Sequence, residues 1–277
     1  MALTVNTNLS SINALRNLNG TSRSLNSAFS RISSGLRITH AGDDAAGLAV
    51  AENLDAAKIS LRQANRNTND GISVIQTAEG ATNEVANILK RMRELTVEAS
   101  SETLNSTERS YISTELNALK SEIDRIAAAT EFNGIKLGNT GGMSIDVQVG
   151  IHNVSTSDRI TVNLGDLRFG AGLSGALPAT AGSAAVYQNT LSLYDRALDR
   201  VNTQRAIYGA SQNRLQSALA NLEVYTENIS AAESQIRDAD FAYETAEMAK
   251  FQIMQQAGTA VLAQANQINQ GALRLLG

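Results

Sequence analysis

Cysteine and tryptophan are absent from the 277 residues, proline occurs once, at Pro178, and aromatic residues make up only 4%. Without cysteine there is no disulfide, no iron–sulfur cluster and no thiol nucleophile. Two histidines, His40 and His152, leave little for metal binding or acid–base catalysis. Neither falls in a spacing such as H-E-x-x-H, so no metal and no cofactor is assigned. With no proline before residue 178, nothing in the first 177 residues forces a helix to end. Acidic residues are missing from residues 1–41, which carry Arg16, Arg23, Arg31 and Arg37, while the remaining 19 basic residues face 27 acidic ones. An Arg- and Ser-rich, acid-free N-terminus also reads as a transit peptide, but a transit peptide needs no strict register and this segment has one. No apolar core of a cleaved secretory signal is present.

Charge is also absent from Phe251 to Leu273, a stretch that holds eight Gln and Asn side chains, Gln256 and Gln264 among them. A membrane span is excluded by those amides, each of which would cost several kcal/mol in lipid without a partner. An ordinary surface helix would show a charged outer face. The segment therefore reads as a helix enclosed by other protein, its amides bonded to neighbours or lining a polar, uncharged space.

Heptad spacing dominates what is present. Leu15, Leu18, Leu25, Phe29, Ile32 and Leu36 follow alternating steps of three and four, with Ser22 in one slot, as in a coiled-coil seam. The segment stops at Gly35, and Asp43 and Asp44 are placed to cap a second helix from about Ala45 to Ser100, with Leu54, Leu61, Thr68, Ile72, Ile75, Thr82, Val85, Leu89 and Met92 in register. At 1.5 Å per residue such a helix is about 80 Å long, the length of a rod. Asn105-Ser-Thr-Glu108 resembles a capping box and opens a third helix striped by Ile112, Leu116, Leu119, Ile123 and Ile126. Glu131-Phe-Asn-Gly134 is a turn signal, and the alternating segments 143–149 and 159–164 read as a β-hairpin. Residues 165–185, rich in Gly, Ala and Ser, read as a loosely ordered excursion. A fourth helix from near Tyr187 keeps Tyr194, Leu198, Val201, Tyr208, Leu215, Leu219, Leu222, Ile229 and Ile236 in register. Asp238 or Asp240 caps a terminal helix in which Phe251, Met254, Val261, Ile268 and Leu275 form one stripe and Leu262 with several alanines another. Two stripes need two sets of neighbours, and other copies of the chain are the source that remains. The fold class is mainly α: a long helical-hairpin or coiled-coil rod with paired terminal helices and a small β-hairpin excursion.

Few residues carry chemistry. Asp43-Asp44 and Asp238-Ala-Asp240 sit at helix starts, where carboxylates cap rather than catalyse. Gly42 and Gly47 lack the Lys-Ser/Thr of a phosphate loop. Lys90, Arg91 and Arg93 are interleaved with Glu94 and Glu98, which reads as a salt-bridged face and not a nucleic-acid site. Asn153-Val-Ser155 is a weak glycan signal in a loop.

Several stretches together resemble bacterial flagellin: LSSINALRNL (9–18), SRISSGLRITHAGDDAAGLAVAENL (30–54), NDGISVIQTAEGATNEV (69–85) and the whole of 236–277. They cover about residues 1–138 and 186–277 in the family's order. Two departures are THAGDD, where a Lys commonly precedes the Asp pair, and NQINQGALRLLG in place of a proline-containing ending.

The resemblance implies a structural subunit, not an enzyme, that assembles with its own copies into a hollow extracellular filament. It implies inner-tube helices in 1–41 and 238–277, halves of an outer-tube rod in 42–138 and 187–237, and a short surface excursion in 139–186. Leu18, Leu25, Phe29, Ile32, Leu36, Phe251, Met254, Val261, Leu262, Ile268 and Leu275 are the expected assembly core, with Gln256 and Gln264 as lumen-lining candidates. Expected partners are the flagellar export apparatus, an export chaperone on the C-terminal helix, and filament cap and junction proteins, with export independent of a cleaved signal. Arg91, Leu95 and Glu115 match the motif by which a vertebrate Toll-like receptor recognises many flagellins; packing between subunits is the plainer reading of the same residues. No nucleic acid and no membrane insertion is expected. A hook–filament junction protein and a secreted coiled-coil adhesin or effector are the alternatives.

Overall fold

The structure, a computed structural model, describes residues 7–139, 141–169 and 183–274, with residues 268–274 given by their backbone alone. Five helices lie among the described residues: α1 (Leu9–Ser34), α2 (Ala45–Ala99), α3 (Ser106–Ala129), α4 (Ala184–Arg237) and α5 (Phe241–Arg274). Two antiparallel hairpins fall between α3 and α4: β1 (Glu131–Phe132) with β2 (Ile135–Lys136), and β3 (Ser144–Gln148) with β4 (Arg159–Asn163). The chain divides into two compact units, one drawn from both ends as far as Lys58 and from Glu227 onward, the other running from Ile59 to Thr226. The expected Ile268 side chain and Leu275 lie outside what is described, as does Pro178.

Helix ends follow the local chemistry. α1 starts earlier than its apolar pattern suggests, because the Asn8 side chain accepts the Ser11 N–H at 3.0 Å; it ends at Gly35, whose φ of 71° lets the Gly35 N–H reach the Arg31 carbonyl. Only one of the two expected aspartates caps α2. Asp44 accepts the Gly47 N–H at 2.8 Å, while Asp43 turns back to accept the Thr39 and His40 N–H groups, both at 3.1 Å, and the Thr39 hydroxyl at 3.0 Å. A side chain one residue before the cap points at the preceding turn, so it holds that turn. The capping box of α3 is complete, with Asn105 and Glu108 each accepting the other's backbone N–H. Asp240, not Asp238, caps α5, accepting from Ala242 and Tyr243.

In the middle unit α2 and α4 run antiparallel. Every seventh residue of α2 from Leu61 is buried, and the series reads Leu61, Thr68, Ile75, Thr82, Leu89, Thr96. Each threonine hydroxyl donates to the carbonyl four residues before it, so none is buried without a partner. Towards one end of this unit α3 supplies the third wall, placing Leu116 and Ile123 against Leu89, Met92, Leu95, Tyr194 and Val201. Beyond α3 the β3–β4 hairpin takes over that wall with Val147, Ile160 and Val162 against Ile75, Tyr208 and Leu215. Gly71 allows this approach, since a Cβ there would stand 2.8 Å from Val147 Cγ2.

Two expectations are revised. Glu131-Phe-Asn-Gly134 is not merely a turn but the head of β1–β2, with Asn133 and Gly134 at φ 49° and 79°, as a two-residue primed turn requires. Residues 165–169 are not loose: Leu167 and Phe169 are buried, the Leu167 N–H donates to the Gly138 carbonyl and the Phe169 N–H to Asp124. Residues 170–182 of that excursion lie outside what is described.

Candidate assembly interface

In the terminal unit α1 and α5 pack antiparallel, as the cross-links between them show: Asn8 Nδ2 donates to the Ala265 carbonyl, Leu18 meets Gly258, Gln255 donates to the Ser22 hydroxyl and Arg31 pairs with Glu244. No other helix pair among the described residues approaches as closely along its length. Small side chains permit this. A row of buried or half-buried residues runs along α1 through Ser11, Ala14, Leu18, Thr21, Leu25, Ala28 and Ile32, and another along α5 through Glu244, Met248, Phe251, Gln255, Gly258, Leu262 and Ala265. Both series step by three and four, the spacing of a coiled-coil seam.

This seam differs from the one legible in the sequence. Leu18, Leu25 and Ile32 serve it as expected, but the alternate places belong to Ala14, Thr21 and Ala28. Leu15 and Phe29, one residue on and so about 100° round the helix, are 47% and 64% exposed. On α5, Phe251 and Leu262 belong to the seam while Met254 and Val261 are exposed. The expected assembly residues thus split into those that hold the pair together and those that remain uncovered, with Leu36 in a third place. Leu36 bridges to Asp238, beside hydrogen bonds from the Arg37 N–H to the Arg237 carbonyl and from the Ala239 N–H to the Gly35 carbonyl. Those bonds close the two chain segments on each other where α1 ends and α5 begins.

The small seam residues escape a reading by large apolar residues, while Ile12 and Ile253, both exposed, fall outside the stripes that such a reading followed. A search for Ala, Gly and Thr at seven-residue spacing would have found Ala14, Thr21 and Ala28. Glu244 was also missed: it is 4% exposed, and Arg31 Nη1 stands 3.4 Å from its carboxylate. Gln256 and Gln264 are exposed on α5. Among the described residues no helix is long and apolar enough to cross a membrane.

A second group lies in the middle unit. Arg91 donates from Nε and Nη2 to Glu115 Oε1 at 3.1 and 3.0 Å, and from Nη1 to Glu94 at 2.8 Å. Hydrogen bonding to Glu94, then to Glu115, holds the guanidinium pKa above its ordinary value. The structure brings Arg91 and Glu115 together on the surface. Leu95 is 2% exposed within the core cluster, so it supports this surface from beneath and is not itself open to a partner.

Residues 5–139 match the family described as the bacterial flagellin N-terminal helical region, and residues 191–276 the bacterial flagellin C-terminal helical region. The chain is 41% identical over 272 residues to a flagellin of Halalkalibacterium halodurans, covering 98% of this chain and 99% of that one. It is 38% identical over 307 residues to a flagellin of Bacillus subtilis, again covering 98% and 99%. The crystal structure of Bacillus cereus flagellin is similar with a TM-score of 0.51 and 31% identity, over 61% of this chain and 94% of that one.

Proposed function

The chain belongs to the bacterial flagellin family and is a structural subunit of the extracellular flagellar filament, and we propose that its copies join through the apolar residues left uncovered on α1 and α5. The family is structural, not enzymatic, and neither the junction-protein nor the adhesin alternative is favoured. The observation that carries the proposal is the exposure of Phe29, Met254 and Val261 on a helix pair whose seam is already filled. Large apolar side chains left exposed on a packed helix pair mark surfaces that meet another protein. In this reading Leu18, Leu25, Ile32, Leu36, Phe251 and Leu262 hold each subunit's terminal unit. Gln256 and Gln264, exposed within a charge-free segment, line the channel and offer an unfolded subunit no ionic trap. Residues 1–41 and 238–277 form the inner tube, 42–138 and 187–237 the outer tube, and 139–186 the outer surface.

The terminal helices complete their folding on assembly, because an amphipathic helix with an unfilled stripe gains too little from burial to offset its conformational entropy. Before that, the chain passes unfolded through the flagellar export apparatus without a cleaved signal, with a chaperone on α5, and meets the filament cap and junction proteins at the growing end. The test compares the full chain with a version ending at Asp238, each seeded with filament fragments and viewed by negative-stain microscopy. Filaments from the full chain alone support the proposal. Equal polymerisation of both assigns α5 another role.

A second reading concerns Arg91 and Glu115, whose exposed, mutually bonded side chains form a surface on which a Toll-like receptor would bind monomers, with Leu95 positioning Arg91 from below. Arg91→Ala monomers that signal through the receptor as strongly as the unaltered chain would remove this reading.

A further inference from the structure

We propose that the two sides of the α1–α5 pair are the two halves of one head-to-tail contact: the outward ridge of α1 on one copy seats in the groove between α1 and α5 of the next. The inference rests on the filament reading above and names the surface that serves it. On one side of the pair, the short Asn17 and Thr21 side chains of α1 face Met254, Ala257, Gly258 and Val261 of α5 across an open groove. Ala14 and Leu18 of α1 complete its apolar lining, and it carries no charge. The opposite side is reversed. Leu15 lies two residues from Asn17, about 200° round the helix, with Ile12 a turn before it on the same outward ridge; both are exposed. Across from that ridge the register of α5 places the polar Gln252, Thr259 and Asn266, all exposed.

Each copy therefore presents one apolar ridge, on α1, and one apolar-walled groove, on α5's flank, pointing in opposite directions. A two-fold contact would set ridge on ridge or groove on groove, leaving the concave side unfilled. An open helical filament is generated only by a heterologous contact, in which two different surfaces of the same chain meet. A ridge one turn long, Ile12 to Leu15, fits within a groove bordered by the two turns from Ala14 to Thr21. The groove bears no charged side chain, so it sets no repulsion against Arg16, which follows Leu15 beside the ridge and bonds to Asn13.

The absence of cysteine makes the test specific. Leu15→Cys and Ala257→Cys chains are prepared separately, assembled alone and as an equal mixture, and treated with a short bis-maleimide before denaturing electrophoresis. The expected result is a covalent dimer in filaments of the mixture and none in filaments of either variant alone. Filaments of the mixture that form but yield no dimer overturn the inference while leaving the filament reading standing; failure of the unaltered chain to polymerise sinks the filament reading itself. A dimer in filaments of Leu15→Cys alone overturns the inference in favour of ridge-on-ridge packing. Should Leu15→Cys not assemble, Ile12→Cys with the same Ala257→Cys partner carries the test with the same outcomes.

Discussion

Leu18 stands where a side chain on Gly258 would have to go: a Cβ built on that glycine lies 3.1 Å from Leu18 Cδ1. The close approach of α1 and α5 depends on that missing side chain. Gly258→Leu is expected to overpack the seam by about 1–3 kcal/mol, which raises the critical concentration for assembly about 5- to 150-fold if the pair must form for subunits to join. Sedimentation of filaments against total protein measures it. An unchanged critical concentration would mean that the seam gives way freely and contributes little.

Glu244 and Arg31 should respond unequally to substitution. Glu244 is almost wholly buried, whereas the Arg31 side chain keeps 31% of its exposure. Removing the arginine strands a buried carboxylate, at a cost towards the lower end of about 3–5 kcal/mol because one partner is partly hydrated. Glu244→Gln leaves a guanidinium that can turn to water, and so costs less. Thermal denaturation of Arg31→Met, Glu244→Gln and the double variant should give losses in that order, with the double variant milder than the sum of the singles. Equal losses from the two singles would show that the carboxylate is better solvated than its burial implies.

Tyr208 and Tyr194 are spaced two heptads apart on α4 and meet Thr82 and Thr96, spaced two heptads apart on α2. The Gly165 N–H donates to the Tyr208 hydroxyl at 3.3 Å. Tyr208→Phe is therefore expected to destabilise the middle unit by about 1–3 kcal/mol, through a backbone donor left without its acceptor. Burial pushes both phenol pKa values up, so the fold holds the neutral form: this contribution is complete below the unfolded value, near 10, and is lost as pH rises through the folded one. A spectrophotometric titration should show Tyr194 and Tyr208 ionising above the ordinary range, with the amplitude of that late phase reduced after Tyr208→Phe.

What could be read from the sequence follows the size of the residues involved. The α2 series Leu61, Thr68, Ile75, Thr82, Leu89 was visible because the large residues Leu61, Ile75 and Leu89 frame its threonines in one register. The α1 seam was not, since Ala14, Thr21 and Ala28 offer little contrast, and Leu15 and Phe29 drew the register one residue aside. That single step separates residues that hold the helix pair together from residues left exposed. Strands of two residues are too short to alternate, which hid β1–β2 despite Asn133-Gly134. Leu167 and Phe169 anchor a five-residue segment in which no period can be recognised. The charge-free run of α5 suggested a helix with protein neighbours, and α1 supplies one; which side of α5 it covers depends on residues of α1 that are distant in sequence.

Asp43 gives the turn between α1 and α2 an acid-sensitive fastening. Its carboxylate is held below the ordinary range, first by the Thr39 N–H, then by the His40 N–H and the Thr39 hydroxyl. A lowered folded pKa means that the stabilisation is complete above the unfolded value, about 3.9, and disappears as pH falls through the folded one. Asp43→Asn keeps one acceptor oxygen and removes the charge, so the variant should melt below the unaltered chain at neutral pH. The gap should narrow below about pH 4 and close once the native carboxylate is itself protonated. Melting temperatures of the two chains across the acid range decide the matter, because a gap that stayed constant with pH would assign the effect to the shape of the turn and not to its charge.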